Sequence, residues 1–215
     1  MWNQLKNKHA GETCLIIGNG PSLKDIPLEF LKKYPTLGSN RIYVLSDFTP
    51  TYYVSINPVV LDQFSGDIDG VKSIKFIRAG YDHLVSGSLP LHSSAFPMFS
   101  KNPSVCIYEG YTVTFVSMQL AWWMGFTTAL LVGVDHRYDY KGQPNEEQKA
   151  DAVDVNHFDP NYFSGCQWNN PDLARSEHAY RIAYNVYKQD GRKIINLTTG
   201  SALEVFERGE ISEWD

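Results

Sequence analysis

Thr13-Cys14-Leu15-Ile16-Ile17 runs straight into Gly18-Asn19-Gly20-Pro21-Ser22-Leu23, and the fold class is read from this junction. A short unbroken run of apolar and β-branched residues is the pattern of a strand buried on both faces, as strands of parallel sheets are. The glycines and the proline that follow end it in a tight turn. Runs of the same kind recur at Thr51 to Ile56, Val71 to Ile77, Ser104 to Tyr108, Ala129 to Val134 and Lys193 to Leu197, with a shorter one at Thr36 to Ser39. Between several of them the apolar period lengthens to that of a helix, in Val113 to Met124 and in Leu173 to Lys188, where Ala179, Ile182, Ala183, Val186 and Tyr187 mark one face. Asn170-Pro171 reads as the N-cap and first helical residue of the second of these, and Gly191 as its stop.

Strand, helix and strand in alternation predict an α/β, Rossmann-like domain with a mostly parallel sheet flanked by helices. The chain has 215 residues, long for one domain and short for two, and shows no repeat or linker, so one domain over 1–215 is expected. With 43% hydrophobic and 20% charged residues the composition excludes disorder and fibrous architectures. Nineteen basic against 24 acidic residues, without runs of either sign, leave no electrostatic footprint for nucleic acid. Cys14, Cys106 and Cys166 are odd in number, far apart and without metal-ligand spacing, and the first two fall in expected strands. They read as inert thiols in a reducing compartment. Met1 to Glu12 lacks the apolar stretch of a signal peptide, and no apolar run approaches the ~20 residues that span a bilayer. A cytoplasmic protein is expected, with a peripheral place at the inner membrane face compatible with it. The oligomeric state is open, a homo-oligomer included.

His136 to Trp168 breaks the rhythm, because a connection of little periodicity stands where ~2 to 6 residues are usual. Tyr138, Tyr140, His157, Phe158, Tyr162, Phe163 and Trp168 lie among its polar residues. This suits a lid over a ligand, with Tyr138, Phe158 and Tyr162 as its candidate contacts. A plain surface excursion or an oligomer contact is the alternative.

A glycine-rich turn after a strand lets backbone N–H groups and a helix amino terminus face an anion, which makes Gly18, Asn19, Gly20, Pro21 and Ser22 binding candidates. The third glycine of the dinucleotide fingerprint is absent, Pro21 removes one donor, and no acidic residue closes the second strand. An NAD or FAD site is therefore not indicated. No Gly-Lys-Ser or Gly-Lys-Thr follows, which excludes a P-loop. Polar residues recur where the strands end: Asn19, Asn40, Asn57, Thr112 and Asp135. Each alone suits a turn or a cap. Together they mark the edge at which open α/β sheets bind ligands, and asparagine reads hydroxyls and base edges without adding charge that repels phosphate. Thr112, Val113 and Thr114 open the helix carrying Trp122 and Trp123, so their hydroxyl and N–H groups suit a phosphate or carboxylate at its positive end. Simple capping is the other reading. His157, in Asn156-His157-Phe158-Asp159-Pro160, is the candidate base, with His136 as its rival. One carboxylate, Asp135, is poor support for a magnesium cage.

These residues resemble a known pattern. Gly18 to Leu23, Asn40, Asn57-Pro58, Thr112 ahead of the helix ending at Gly125, and Gly133-Val134-Asp135 are similar in order and spacing to the small bacterial sialyltransferases that use CMP-sialic acid. The same signatures resemble the wider 6-hydroxymethylpterin diphosphokinase family, which includes motility-associated glycosyltransferases. The resemblance implies a Rossmann-like nucleotide-binding domain with a lid and inverting transfer onto a hydroxyl of a surface glycan, with no essential metal. It implies that Asn19, Asn40 and Asn57 contact the nucleotide or its sugar, that Thr112 approaches the phosphate or sugar carboxylate, and that a lid histidine, His157, is the base. The sequence departs from those enzymes at Val113 and Thr114, where they carry Ser and Gly, and at Arg137, where a tyrosine assists phosphate departure. Arg137 is accordingly expected beside the leaving phosphate. The wider family implies a different reaction, diphosphate transfer from ATP with magnesium held by Asp135 and Asp47. A noncatalytic nucleotide-sugar binding protein is a third reading.

Overall fold

Alternation along the first strand explains why a sheet buried on both faces forms here. The computed structural model of the chain describes residues 1–214. Its strands are β1 (Thr13–Ile17), β2 (Thr36–Ser39), β3 (Tyr52–Ser55), β4 (Ile74–Arg78), β5 (Leu89–Leu91), β6 (Ser93–Ser94), β7 (Ile107–Tyr108), β8 (Thr128–Val132), β9 (Glu147–Lys149), β10 (Gln167–Asn169), β11 (Lys193–Asn196) and β12 (Glu207–Arg208). The helices are α1 (Trp2–Leu5), α2 (Leu28–Lys33), α3 (Pro58–Gly70), α4 (Val113–Met124) and α5 (Leu173–Gln189). Cys14 and Ile16 point to one face, against Phe115, Met118 and Ala183 of α4 and α5. Leu15 and Ile17 point to the other, against Leu31, Leu61 and Val60 of α2 and α3. Each such side chain contributes roughly 1.5–3 kcal/mol by leaving water.

Eight strands form one sheet in the order β12-β11-β8-β1-β2-β3-β4-β5, and every pairing in it is parallel. The chain winds outward from β1 through β2 to β5, then returns to β8 and winds the other way. The direction therefore reverses between β1 and β8, whose last residues, Ile17 and Val132, are paired. The turns after these strands emerge side by side. Gly18 and Gly20 donate to Val132 and Gly133 carbonyls at 2.8 and 2.9 Å, and a Cβ on Gly18 would stand 2.3 Å from the Gly133 oxygen.

The structure departs from the sequence-based expectation at several elements. The run Ser104 to Tyr108 supplies only β7, which pairs with β6 outside the main sheet. Asn102 closes a turn there by accepting from the amide of Val105 and the hydroxyl of Ser104, so Val105 is exposed and Cys106 half-buried. The sheet edge is taken instead by β5. Val71 ends α3, its amide donating to Ile68, and β4 begins only at Ile74. The N-cap of α5 is Asp172, whose carboxylate accepts from Arg175 N–H at 3.1 Å. Asn170 is instead buried and donates to the carbonyls of Lys141 and Gln143 at 2.8 and 3.0 Å. All three cysteines are free, and burial pushes the Cys14 thiol up.

The segment read as a lid carries the β9–β10 hairpin, and Tyr162, Phe163 and Trp168 join the core on the α2–α3 face. It is a packed cover rather than a loose flap. Phe158 N–H donates to the Asn19 carbonyl at 3.0 Å, and the buried Tyr162 hydroxyl accepts from Arg41 N–H at 2.8 Å.

Gly20→Ala would place a Cβ 2.0 Å from Asp135 Oδ2, an overpacking expected to lower unfolding free energy by about 1–3 kcal/mol in urea titrations. Gly66→Ala in α3 meets nothing within 4 Å and is expected to raise it by roughly 0.5–1 kcal/mol.

Candidate functional site

The carboxyl ends of β1, β2, β3, β4 and β8 and the amino ends of α3, α4 and α5 open into one cavity of about 430 Å³. It lies over the reversal between β1 and β8, where open α/β sheets hold their ligands. Gly18, Asn19, Asn40, Asn57, Thr112, Val113, Thr114, Asp135, Tyr138 and His157 all line it, as does His136.

Several of these side chains already have structural partners. Asn19 Nδ2 donates to the Ser39 carbonyl at 3.1 Å and to its hydroxyl at 3.3 Å. Its Oδ1 is buried and, among the described residues, has no hydrogen-bond partner. Such an acceptor calls for a donor. Asn57 Oδ1 caps α3 by accepting from Val59 N–H at 2.9 Å. Thr112 Oγ1 caps α4 through Thr114 N–H at 3.3 Å and lies 3.2 Å from the Tyr180 hydroxyl. The capping reading holds at both positions, and a capped helix end on a cavity wall still directs its positive end inward.

Six expected site residues stand off the wall. Ser22 turns to Asp135, its hydroxyl and N–H donating to the carboxylate at 2.8 and 3.2 Å. Gly20 packs beneath that carboxylate, and Pro21 starts the short 3₁₀ turn Pro21–Asp25. Arg137 is exposed, the residue before it having a positive φ of 53°. Phe158 meets the glycine turn through its backbone, and Tyr162, buried within the cover, accepts from Arg41 N–H.

The sequence reading missed Arg78, Glu109, Tyr111, Asn145 and Asp172, which also line the cavity. Arg78 Nη1 donates to Glu109 Oε1 at 2.7 Å, and Ser93 Oγ donates to the same oxygen at 2.6 Å. Asp172 receives Asn145 Nδ2 at 3.0 Å as well as the Arg175 amide. Asn40, Tyr111, His136 and Asn145, four of the six non-glycine residues with positive φ, lie on the wall. Backbone held this way costs of order 1–3 kcal/mol per residue and gathers at functional sites.

Among the described residues Arg78 is the sole lysine or arginine on the wall and is ion-paired, while Glu109, Asp135 and Asp172 each already accept hydrogen bonds. Asp47, the second carboxylate suggested for magnesium, is exposed and does not line the cavity. Among the described residues no group of three or more His, Cys, Asp or Glu could hold a metal ion. The donor set does not fit a protein-built magnesium cage.

His157 Nδ1 lies 2.8 Å from Asp154 Oδ2, and its ring stacks on Tyr162 at 4.2 Å. His136 sits edge-on to Tyr180, with Glu177 3.7 Å from its Nε2. Burial lowers its pKa against the smaller opposing pull of Glu177. The unfolded chain therefore binds its proton more readily. The stability this contributes is complete above about pH 6.5 and is lost as pH falls below it. In His136→Gln, unfolding free energy measured in urea from about pH 7.5 to 5 is expected to fall less steeply.

No helix among the described residues is long and apolar enough to cross a membrane. No curated protein matches the chain in sequence. Among solved structures, a sialyltransferase of Campylobacter jejuni in complex with a substrate analogue, cytidine-5'-monophosphate, is similar at a TM-score of 0.49 and 15% identity, over 93% of this chain and 85% of that one. The family model for 6-hydroxymethylpterin diphosphokinase MptE-like proteins matches residues 1–141. That stretch holds β1 with its glycine turn, the capped starts of α3 and α4, and the Asp135 turn, and as a whole it supplies most of the cavity wall; the chain belongs to the MptE-like family.

Proposed function

We propose that the chain is a transferase of the glycosyltransferase kind, taking a sugar from a nucleotide-activated, CMP-linked donor and passing it to a hydroxyl of a surface glycan. The observation that carries this reading is the meeting of Asn19, Asn40, Asn57, Thr112 and Asp135 on one cavity wall, with Asn19 Oδ1 unpaired. Asparagines suit a nucleoside and its sugar. The positive ends of α3, α4 and α5 suit phosphate, and a wall whose one cation is already paired suits one phosphate better than three. Neither an essential metal nor another cofactor belongs to this reading.

In the reaction the acceptor oxygen bonds to the anomeric carbon. The bond from that carbon to the phosphate oxygen breaks, and its electron pair leaves with the nucleotide. His157 Nε2 takes the acceptor proton. The amino end of α4 at Thr112 and Val113, with Arg78, stabilises the departing phosphate in place of Arg137, which is exposed and does not line the cavity.

The family match favours a second reading, a diphosphokinase that transfers diphosphate from ATP with magnesium. On that reading the nucleotide's phosphates would supply most of the metal's ligands, because Glu109, Asp135 and Asp172 on the wall are each already engaged by protein donors.

Thermal-shift measurements with CMP, CDP, UDP, GDP, ATP and CMP-N-acetylneuraminic acid, each with and without magnesium, separate the two. A donor-class ligand at about 100 times its Kd stabilises by about 2.7 kcal/mol. Stabilisation by the cytidine monophosphate compounds without metal is expected; binding confined to magnesium-ATP, with AMP released on turnover, would establish the diphosphokinase instead. His157→Gln is expected to lower transfer roughly 10²- to 10⁴-fold while leaving nucleotide stabilisation intact. Unchanged transfer in that variant removes His157 from the mechanism.

A further inference from the structure

We infer that Asp154 is the positioning residue of the site: it fixes the ring of His157 with the proton on Nδ1 and the lone pair of Nε2 free for the acceptor hydroxyl. The inference rests on the reading of His157 as the base. Asp154 lies in the segment beyond the family match and does not itself line the cavity, so it acts through His157.

Burial pattern is the first support. Val153 and Val155 are 60% and 61% exposed while the Asp154 side chain between them is 5% exposed. Exposed apolar residues are common, but a carboxylate buried between them is the informative departure. Hydrogen bonding is the second. Asp154 Oδ1 accepts from Asn156 N–H at 2.9 Å, Oδ2 accepts from Phe163 N–H at 3.1 Å, and His157 Nδ1 approaches the two oxygens at 3.0 and 2.8 Å. Burial works against the charged form, yet the histidine and the two amides outweigh it and hold the carboxyl below its usual range. An ionised carboxylate only accepts, so Nδ1 must be the protonated nitrogen. Packing is the third. The ring lies flat on Tyr162, with an interplanar angle of 4°, and is met edge-on by Phe163 at 5.2 Å. Among the described residues Nε2 has no hydrogen-bond partner, and the residue lines the cavity. Carboxylate, imidazole and cavity thus stand in the order that a general base requires.

Long-range ¹H–¹⁵N NMR of the labelled protein reads which ring nitrogen of His157 carries the proton. The expected wild-type signature is protonated Nδ1 and bare Nε2. In Asp154→Asn only one of the two backbone amides, that of Asn156 or of Phe163, keeps an acceptor, and the new amide group offers N–H to Nδ1, so the proton is expected to move to Nε2. CMP release from CMP-N-acetylneuraminic acid is then expected to fall by roughly 10² or more, with nucleotide-induced thermal shift retained. A wild-type spectrum with the proton on Nε2 overturns the inference, whether or not the variant folds. An inactive His157→Gln beside a fully active Asp154→Asn overturns it alone. Full transfer in His157→Gln overturns the reading of His157 as base and the role of Asp154 with it.

Discussion

The backbones of Gly18 and Gly133 lie against each other where the turns after β1 and β8 cross, and neither position has room for a side-chain carbon. This close approach sets the geometry of everything above the sheet. It lets Gly20 pack beneath Asp135, which in turn holds Ser22 by its hydroxyl and its amide. Asn19 is left between them with its side chain over the carboxyl end of β2. A glycine-rich turn is commonly read as room for a phosphate. Here part of that room is taken by a second strand end, and Gly18, Asn19 and Gly133 line the cavity while Gly20 packs beneath Asp135.

Polar groups on the cavity wall serve two purposes at once. Asn57 and Thr112 cap helices, and the same capped ends turn the positive ends of α3 and α4 toward the cavity. Arg78, the wall's one cation, is matched by Glu109. On the proposed reading, an anion would be held by oriented amides more than by net charge. Tyr111 and His136 keep positive φ on the same wall. Since bulky side chains resist that conformation, the surrounding packing must enforce it.

The wall divides by chain segment. Residues 1–141, the part matched by the family model, build the sheet ends and the starts of α3 and α4. The remainder builds the cover, in which a His–Asp pair is set among Tyr162, Phe163 and Trp168. Asn170 ties that cover to α5 through the carbonyls of Lys141 and Gln143. The groups proposed for binding and the one proposed for proton transfer thus come from different stretches of chain and meet across the cavity.

Local patterning was enough for β1, β2, β3, β8, β11, α4 and the body of α5, because unbroken apolar runs and a 3.6-residue period are themselves the cause of buried parallel strands and packed helices. The polar strand ends were legible for the same reason, since a strand that stops at the sheet's edge must hand its chain to a turn. Ser104 to Tyr108 misled because Asn102 closes a local turn that competes with the sheet, and Asn170 misled because a buried asparagine with distant partners looks in sequence like a cap. Whether Ser22 faces a ligand or Asp135, whether Arg137 points in or out, and that Arg78 and Asp154 matter at all were decided by tertiary structure. Those outcomes turn on contacts between residues far apart in the chain or on burial that a single segment does not encode.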